Sequence, residues 1–92
     1  MIGKERIMSM ITSGKRVYLN SDGGFYLNPG EYLLNKDGTW YAETPSGHLA
    51  WLKNHQVIEH EDGSISVTPS ILVTNHLGSW HGYLTQGIWK EC

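Results

Sequence analysis

From Arg16 onward the sequence alternates apolar and polar residues with a period of two, in short runs interrupted by turn signals every eight to ten positions. A chain with that rhythm has little choice but to build a sheet, because successive side chains on a strand point to opposite faces. The interruptions are chemically specific. Asp22-Gly23-Gly24, Asn28-Pro29-Gly30, Lys36-Asp37-Gly38, Pro45-Ser46-Gly47, Asp62-Gly63 and Gln86-Gly87 supply the positive or fixed φ that tight turns demand. Strands are predicted over 16–20, 25–28, 31–35, 39–43, 48–53, 56–61, 64–68, 71–75, 80–85 and 88–91. The pairs Val17/Leu19, Phe25/Leu27, Tyr32/Leu34, Trp40/Ala42, Leu49/Trp51, Ile65/Val67 and Ile71/Val73 alternate and are assigned to the core.

Only the start of the chain departs from this pattern. Ile7, Met8, Met10 and Ile11 recur at helical spacing and Gly14 follows as a C-cap, which predicts one short helix over about 4–13. The expected architecture is mainly β, with antiparallel hairpins closing into a small sandwich or a partly open barrel and one short N-terminal α-helix. At 92 residues it is expected to form one domain over 1–92, with its β part over about 16–91. No apolar run approaches the length of a membrane span and the first dozen residues lack a secretory stretch, so a cytoplasmic location is expected. The lone cysteine, Cys92, excludes an internal disulfide and fits a reducing compartment.

The net charge of −2 conceals a split of +3 over residues 1–16 and −5 over the remainder. Three scattered lysines in that acidic body cannot neutralise several phosphates, which disfavours nucleic acid as a partner. The acids do the work of solubility, and beyond that they form a candidate face for a basic protein surface. Glu59, Glu61 and Asp62 lead that face, with Asp37, Glu43 and Asp22 in other turns.

Catalytic patterns are missing. The eleven glycines sit singly between strands rather than in a phosphate-cradling loop, and there is no G-x-S-x-G. Ser46 lies in a Pro-Ser-Gly turn, Cys92 is terminal, and Glu59 and Glu61 share one strand face beside a turn. No enzyme activity is therefore expected. The five histidines, His48, His55, His60, His76 and His81, form no tight ligand pair. A metal-free fold is expected, against an alternative zinc site built from His81 and Cys92 with His48 or His76. The histidines could also respond to mild acid.

The stretch Val67-Thr68-Pro69-Ser70-Ile71-Leu72-Val73, then Trp80-His81-Gly82-Tyr83-Leu84-Thr85-Gln86-Gly87-Ile88-Trp89 and Cys92, resembles the C-terminal signature of an uncharacterised family of short phage and bacterial proteins. Some members carry a misleading ammonia monooxygenase label. The resemblance implies a small β domain with a metal centre. It extends upstream to about Trp40, where Thr44 and Ser46 replace the cysteines the family places in the turn Tyr41-Ala42-Glu43-Thr44-Pro45-Ser46-Gly47-His48. Two missing thiolates leave too few ligands for a tetrahedral site unless a histidine substitutes. Trp80 and Trp89 would then stabilise the fold by packing across the Gln86-Gly87 turn.

The resemblance implies a phage-type protein acting in a bacterial cytoplasm, as monomer or homodimer, by binding another protein. Inhibition of a bacterial defence system, in the manner of an anti-CRISPR protein, is consistent with the acidic body. The alternatives are a zinc-binding domain with hydrolytic activity, or a minor phage structural component whose edge strands self-associate.

Overall fold

The computed structural model describes residues 11–92. Its elements are β1 (Ile11–Ser13), β2 (Lys15–Arg16), β3 (Glu31–Leu34), β4 (Trp40–Glu43), β5 (Leu49–Trp51), β6 (Gln56–Glu59), β7 (Ile65–Asn75), β8 (Gly78–Thr85) and β9 (Ile88–Glu91). They form two sheets, ordered β1-β9-β8-β7-β6 and β2-β3-β4-β5. Tyr32, Ala42, Ala50 and Leu52 of the smaller sheet share one buried cluster with Ile65, Val67, Ile71, Trp80, Leu84 and Trp89 of the larger. The architecture is thus a two-sheet sandwich. One sheet contributes small alanines to this cluster and the other two tryptophans, the mixture of volumes that closely packed layers require.

The predicted helix is not supported. Its last residues, Ile11–Ser13, pair antiparallel with β9, and the remainder, Lys4 to Met10 with Ile7 and Met8, lies outside the described residues. Ile11 and Thr12 are β-branched and β9 offers an open edge, so a strand wins over a single helical turn. Gly14, read as a helix cap, is instead the point where the chain passes from one sheet to the other. Its N–H donates to the Gly87 carbonyl at 2.7 Å. A Cβ there would lie 2.8 Å from that oxygen and 3.0 Å from both the Trp89 indole and the Tyr32 ring, so only glycine fits.

Three other departures follow from packing. β2 pairs with β3 in parallel, and residues 17–30 make the long connection that such a pairing needs, so the strand predicted at 25–28 is loop. The strands predicted at 64–68 and 71–75 fuse into β7. Val67 lies opposite Leu84 but Ile71 opposite Gly82, so four steps on β7 answer two on β8, and the bulge carries Pro69. In β5 the face is inverted. Ala50 and Leu52 point inward, while Leu49 and Trp51 are more than half exposed.

Trp80 and Trp89 do meet, edge to face, with centroids 5.4 Å apart at 84°. Gly82 makes room for them, since a Cβ there would come within 2.5 Å of the Trp80 ring. The buried Trp89 indole donates to the Gly30 carbonyl at 3.0 Å and leaves no orphaned donor. Among the described residues no helix is long and apolar enough to cross a membrane.

Candidate functional site

The hairpin between β6 and β7 gathers three of the predicted acids. His60 N–H donates to the Ser64 carbonyl at 2.8 Å and Gly63 N–H to the His60 carbonyl at 2.9 Å, with Gly63 at φ 89°. Asp62 Oδ1 accepts both the Ser64 N–H, at 3.0 Å, and the Ser64 hydroxyl, at 2.6 Å. That hydroxyl, then the N–H, with a smaller contribution from the nearby His60, hold the Asp62 carboxyl below its usual range against a slight opposing effect of desolvation. The locked turn places Glu59, Glu61 and Asp62 around one open hollow of about 620 Å³, which His60, Ser64 and Gln86 also line. Two of the lining residues are tied through Ser66: His60 Nε2 lies 2.7 Å from Ser66 Oγ, which in turn accepts the Gln86 N–H at 2.8 Å.

Arg16 belongs to the basic start of the chain, yet it folds onto this acidic turn. Its guanidinium donates to Glu59 Oε2 at 2.8 Å and to the Gly63 carbonyl at 3.0 Å. It also lies between two rings, 4.7 Å from the centroid of Tyr18 and 4.8 Å from that of Trp40. Carboxylate, carbonyl and two π-faces thus hold one guanidinium and staple β2 to the opposite sheet. Glu59 is therefore partly neutralised, while Glu61 and Asp62 keep their charges for the exterior.

The other acids of the candidate face are elsewhere. Asp37 Oδ1 accepts the Thr39 N–H at 2.9 Å within the β3–β4 turn, and Asp22 Oδ1 accepts the Gly24 N–H at 2.8 Å; each locks its turn as Asp62 does, but neither lines the hollow. Glu43 ends β4 on the outer face of the smaller sheet. Partial burial, and then the charge of Glu31 across the strand pair, push its carboxyl above the usual range.

The predicted metal ligands do not converge. His81 and Cys92 are neighbours, with the Cys92 N–H donating to the His81 carbonyl at 2.9 Å, but His81 Nε2 is engaged by Ser70 Oγ at 2.9 Å. His76 is exposed in the β7–β8 turn. His48 is buried in the β4–β5 turn, where Thr44 Oγ1 bonds Ser46 Oγ at 2.8 Å and Ser46 Oγ bonds His48 Nδ1 at 2.7 Å; its Nε2 has no partner. Among the described residues no three His, Cys, Asp or Glu side chains are placed to hold a metal ion. Hydroxyls at 44 and 46 are poor zinc ligands, so the turn around His48 does not fit that metal.

A second feature is hidden by the alternation that assigns Leu49 and Trp51 to the core. On the outer face of the smaller sheet Phe25 lies against Tyr41, 5.3 Å between centroids, and Tyr41 against Trp51, 6.5 Å apart and within 11° of parallel. Lys53 Nζ sits 5.0 Å above the Trp51 ring. The legible signal was the Trp40-Tyr41 pair, which puts an aromatic ring on each face of one strand. No family model, curated protein or solved structure matches the chain.

Proposed function

We propose that this chain acts without catalysis, as a small binding protein of phage type that presents the acids of the β6–β7 turn to a basic surface on another protein. One observation carries the reading: Glu59, Glu61 and Asp62 surround a single open hollow on a turn fixed by its own hydrogen bonds. A rigid turn loses little conformational freedom on binding, and Glu61 and Asp62 are both exposed. Complementary charge of this kind accelerates encounter and fixes register. The basic nucleic-acid channel of a bacterial defence complex is a surface of the required sign, and occluding it would make the chain an inhibitor of anti-CRISPR type.

The test is capture from a bacterial lysate with the wild-type chain and with a Glu61→Lys/Asp62→Lys variant as baits. Wild type is expected to recover a basic protein complex that washes off at about 0.5 M salt, where the Debye length falls to a few ångströms. The reversed variant is expected to lose it. Equal capture by both baits at low salt removes the acidic-face mechanism.

A further inference from the structure

We infer that the outer face of the smaller sheet is a second contact point, built to take an arginine side chain from an extended segment of a basic partner protein between the Tyr41/Trp51 rings and the Glu31/Glu43 carboxylates. It rests on the reading that the partner is a basic protein and adds where, and through which side chain, that partner is gripped.

Register places the parts together. Tyr41 is opposite Trp51 and Glu43 opposite Leu49, and Tyr41 and Glu43, two residues apart, share a face. Ala42 and Ala50 are buried, so that face is the outer one. One step beyond the Tyr32↔Ala42 pair, Glu31 comes opposite Glu43. Residues 17–30 cover the β3 side of this face, where Leu33 is fully buried although it lies outside the inter-sheet cluster. The β4–β5 side stays open, with Trp51 55% exposed.

Three observations specify the occupant. First, two carboxylates stand opposite one another, and among the described residues neither has an ion-pair partner, although Glu31 Oε1 accepts the Asn28 N–H at 2.8 Å. Like charges so arranged destabilise a sheet, and a cation between them removes the cost. Second, Lys53 already rests on Trp51, so the ring accepts a cationic head group. Third, the chain displays a related site in Arg16, set against Tyr18 and Trp40 with Glu59 as its carboxylate, although its Nε is buried there without a partner. A guanidinium suits such a place better than an ammonium, because it stacks flat and bonds two oxygens at once. The backbone explains why the arginine should sit on an extended segment. β5 is an edge strand, and the Thr44 N–H to His48 carbonyl and Leu52 N–H to Trp40 carbonyl bonds fix its phase. The amides of Leu49 and Trp51 therefore face away from β4, open to a further strand.

The test uses the full chain, isotope-labelled, and two capped peptides: Gly-Arg-Gly-Arg-Gly and its counterpart with citrulline for arginine, which keeps the shape and removes the charge. The arginine peptide is expected to shift the Trp51 indole N–H and the Leu49 amide resonances. Glu43→Gln is expected to weaken it at least tenfold, Trp51→Ala to abolish it, and the citrulline peptide to leave those signals unmoved. Equal binding of the citrulline peptide, or an unchanged affinity in Glu43→Gln and Trp51→Ala, overturns the inference. Shifts confined to residues 59–64 overturn it too while leaving the acidic turn standing as the binding site, and an absence of any shift overturns it without touching the outcome of the lysate experiment.

Discussion

Each sheet pairs two of its own aromatic rings across neighbouring strands, and the two pairs are used in opposite ways. Trp80 and Trp89 meet edge to face inside the sandwich, over a glycine that leaves them room, and the Trp89 indole N–H is hydrogen-bonded. Tyr41 and Trp51 lie nearly parallel on the outside, where Trp51 is half exposed beneath Lys53, Tyr41 meets Phe25, and Glu43 stands on the same face as Tyr41. The inner pair is buried, with the Trp89 indole N–H answered and its surface removed from water, which is what a ring contributing to stability needs. The outer pair has area and charge left over, which is what a ring contributing to binding needs.

The sharpest way to break this contrast is to truncate one ring of each pair. Trp89→Ala removes a fully buried ring, opens a cavity against Trp80 and Tyr32, and leaves the Gly30 carbonyl without its donor. It is expected to cost about 3–5 kcal/mol in denaturant unfolding, enough to unfold much of a domain this small. Trp51→Ala is expected to cost about 0.5 kcal/mol or less, as for an exposed position away from the core. Comparable losses at the two sites would mean that the outer ring is part of the core after all.

Arg16 falls between these extremes. It is a cation on aromatic faces, as a partner's arginine would be, but it is bound from within, with its side chain 13% exposed and its Glu59 partner 48% exposed. Arg16→Ala gives up contacts to two rings, one ion pair and the bond to the Gly63 carbonyl, and is expected to cost about 1–2 kcal/mol. Arg16→Lys is expected to recover less than half of that, because an ammonium cannot lie flat between Tyr18 and Trp40. Full recovery in the lysine variant, measured by the same unfolding curves, would show that charge alone holds the two sheets at this point.

Strand positions were legible because turn chemistry punctuates them: Asp37-Gly38, Asp62-Gly63 and Gln86-Gly87 all sit at the hairpins predicted for them. Which side of a strand faces inward was legible only where one parity is apolar. Leu49-Ala50-Trp51-Leu52 is apolar on both, and the choice fell to Ala50, which meets Ala42 across β4. The crossover at Gly14 and the parallel β2–β3 pair could not be read, since both depend on contacts distant in sequence. The acidic turn could be read, because Glu59, Glu61 and Asp62 are consecutive enough to stay together in any hairpin. The Arg16 clamp spans 43 positions of sequence, and a basic residue near other basic residues gives no hint of it.

The smallest expected effect separates the two roles of one side chain. The carboxyl of Glu43 is raised by partial burial and then by Glu31, so in the folded state its charged form is the disfavoured one. A carboxyl whose folded pKa lies above the unfolded value contributes stability below the unfolded pKa, and that contribution is lost as pH rises through the folded pKa. At neutral pH the wild-type chain therefore carries a small penalty that Glu43→Gln relieves. The variant is expected to melt slightly higher than wild type at pH 7, with the difference shrinking to nothing below its ordinary value of about 4.5, where both forms are uncharged. Melting curves from pH 3 to 8 read this directly. A variant that is less stable at pH 7 would mean that Glu43 already has a stabilising partner within the fold, and then no arginine from outside is needed to account for the carboxylate pair.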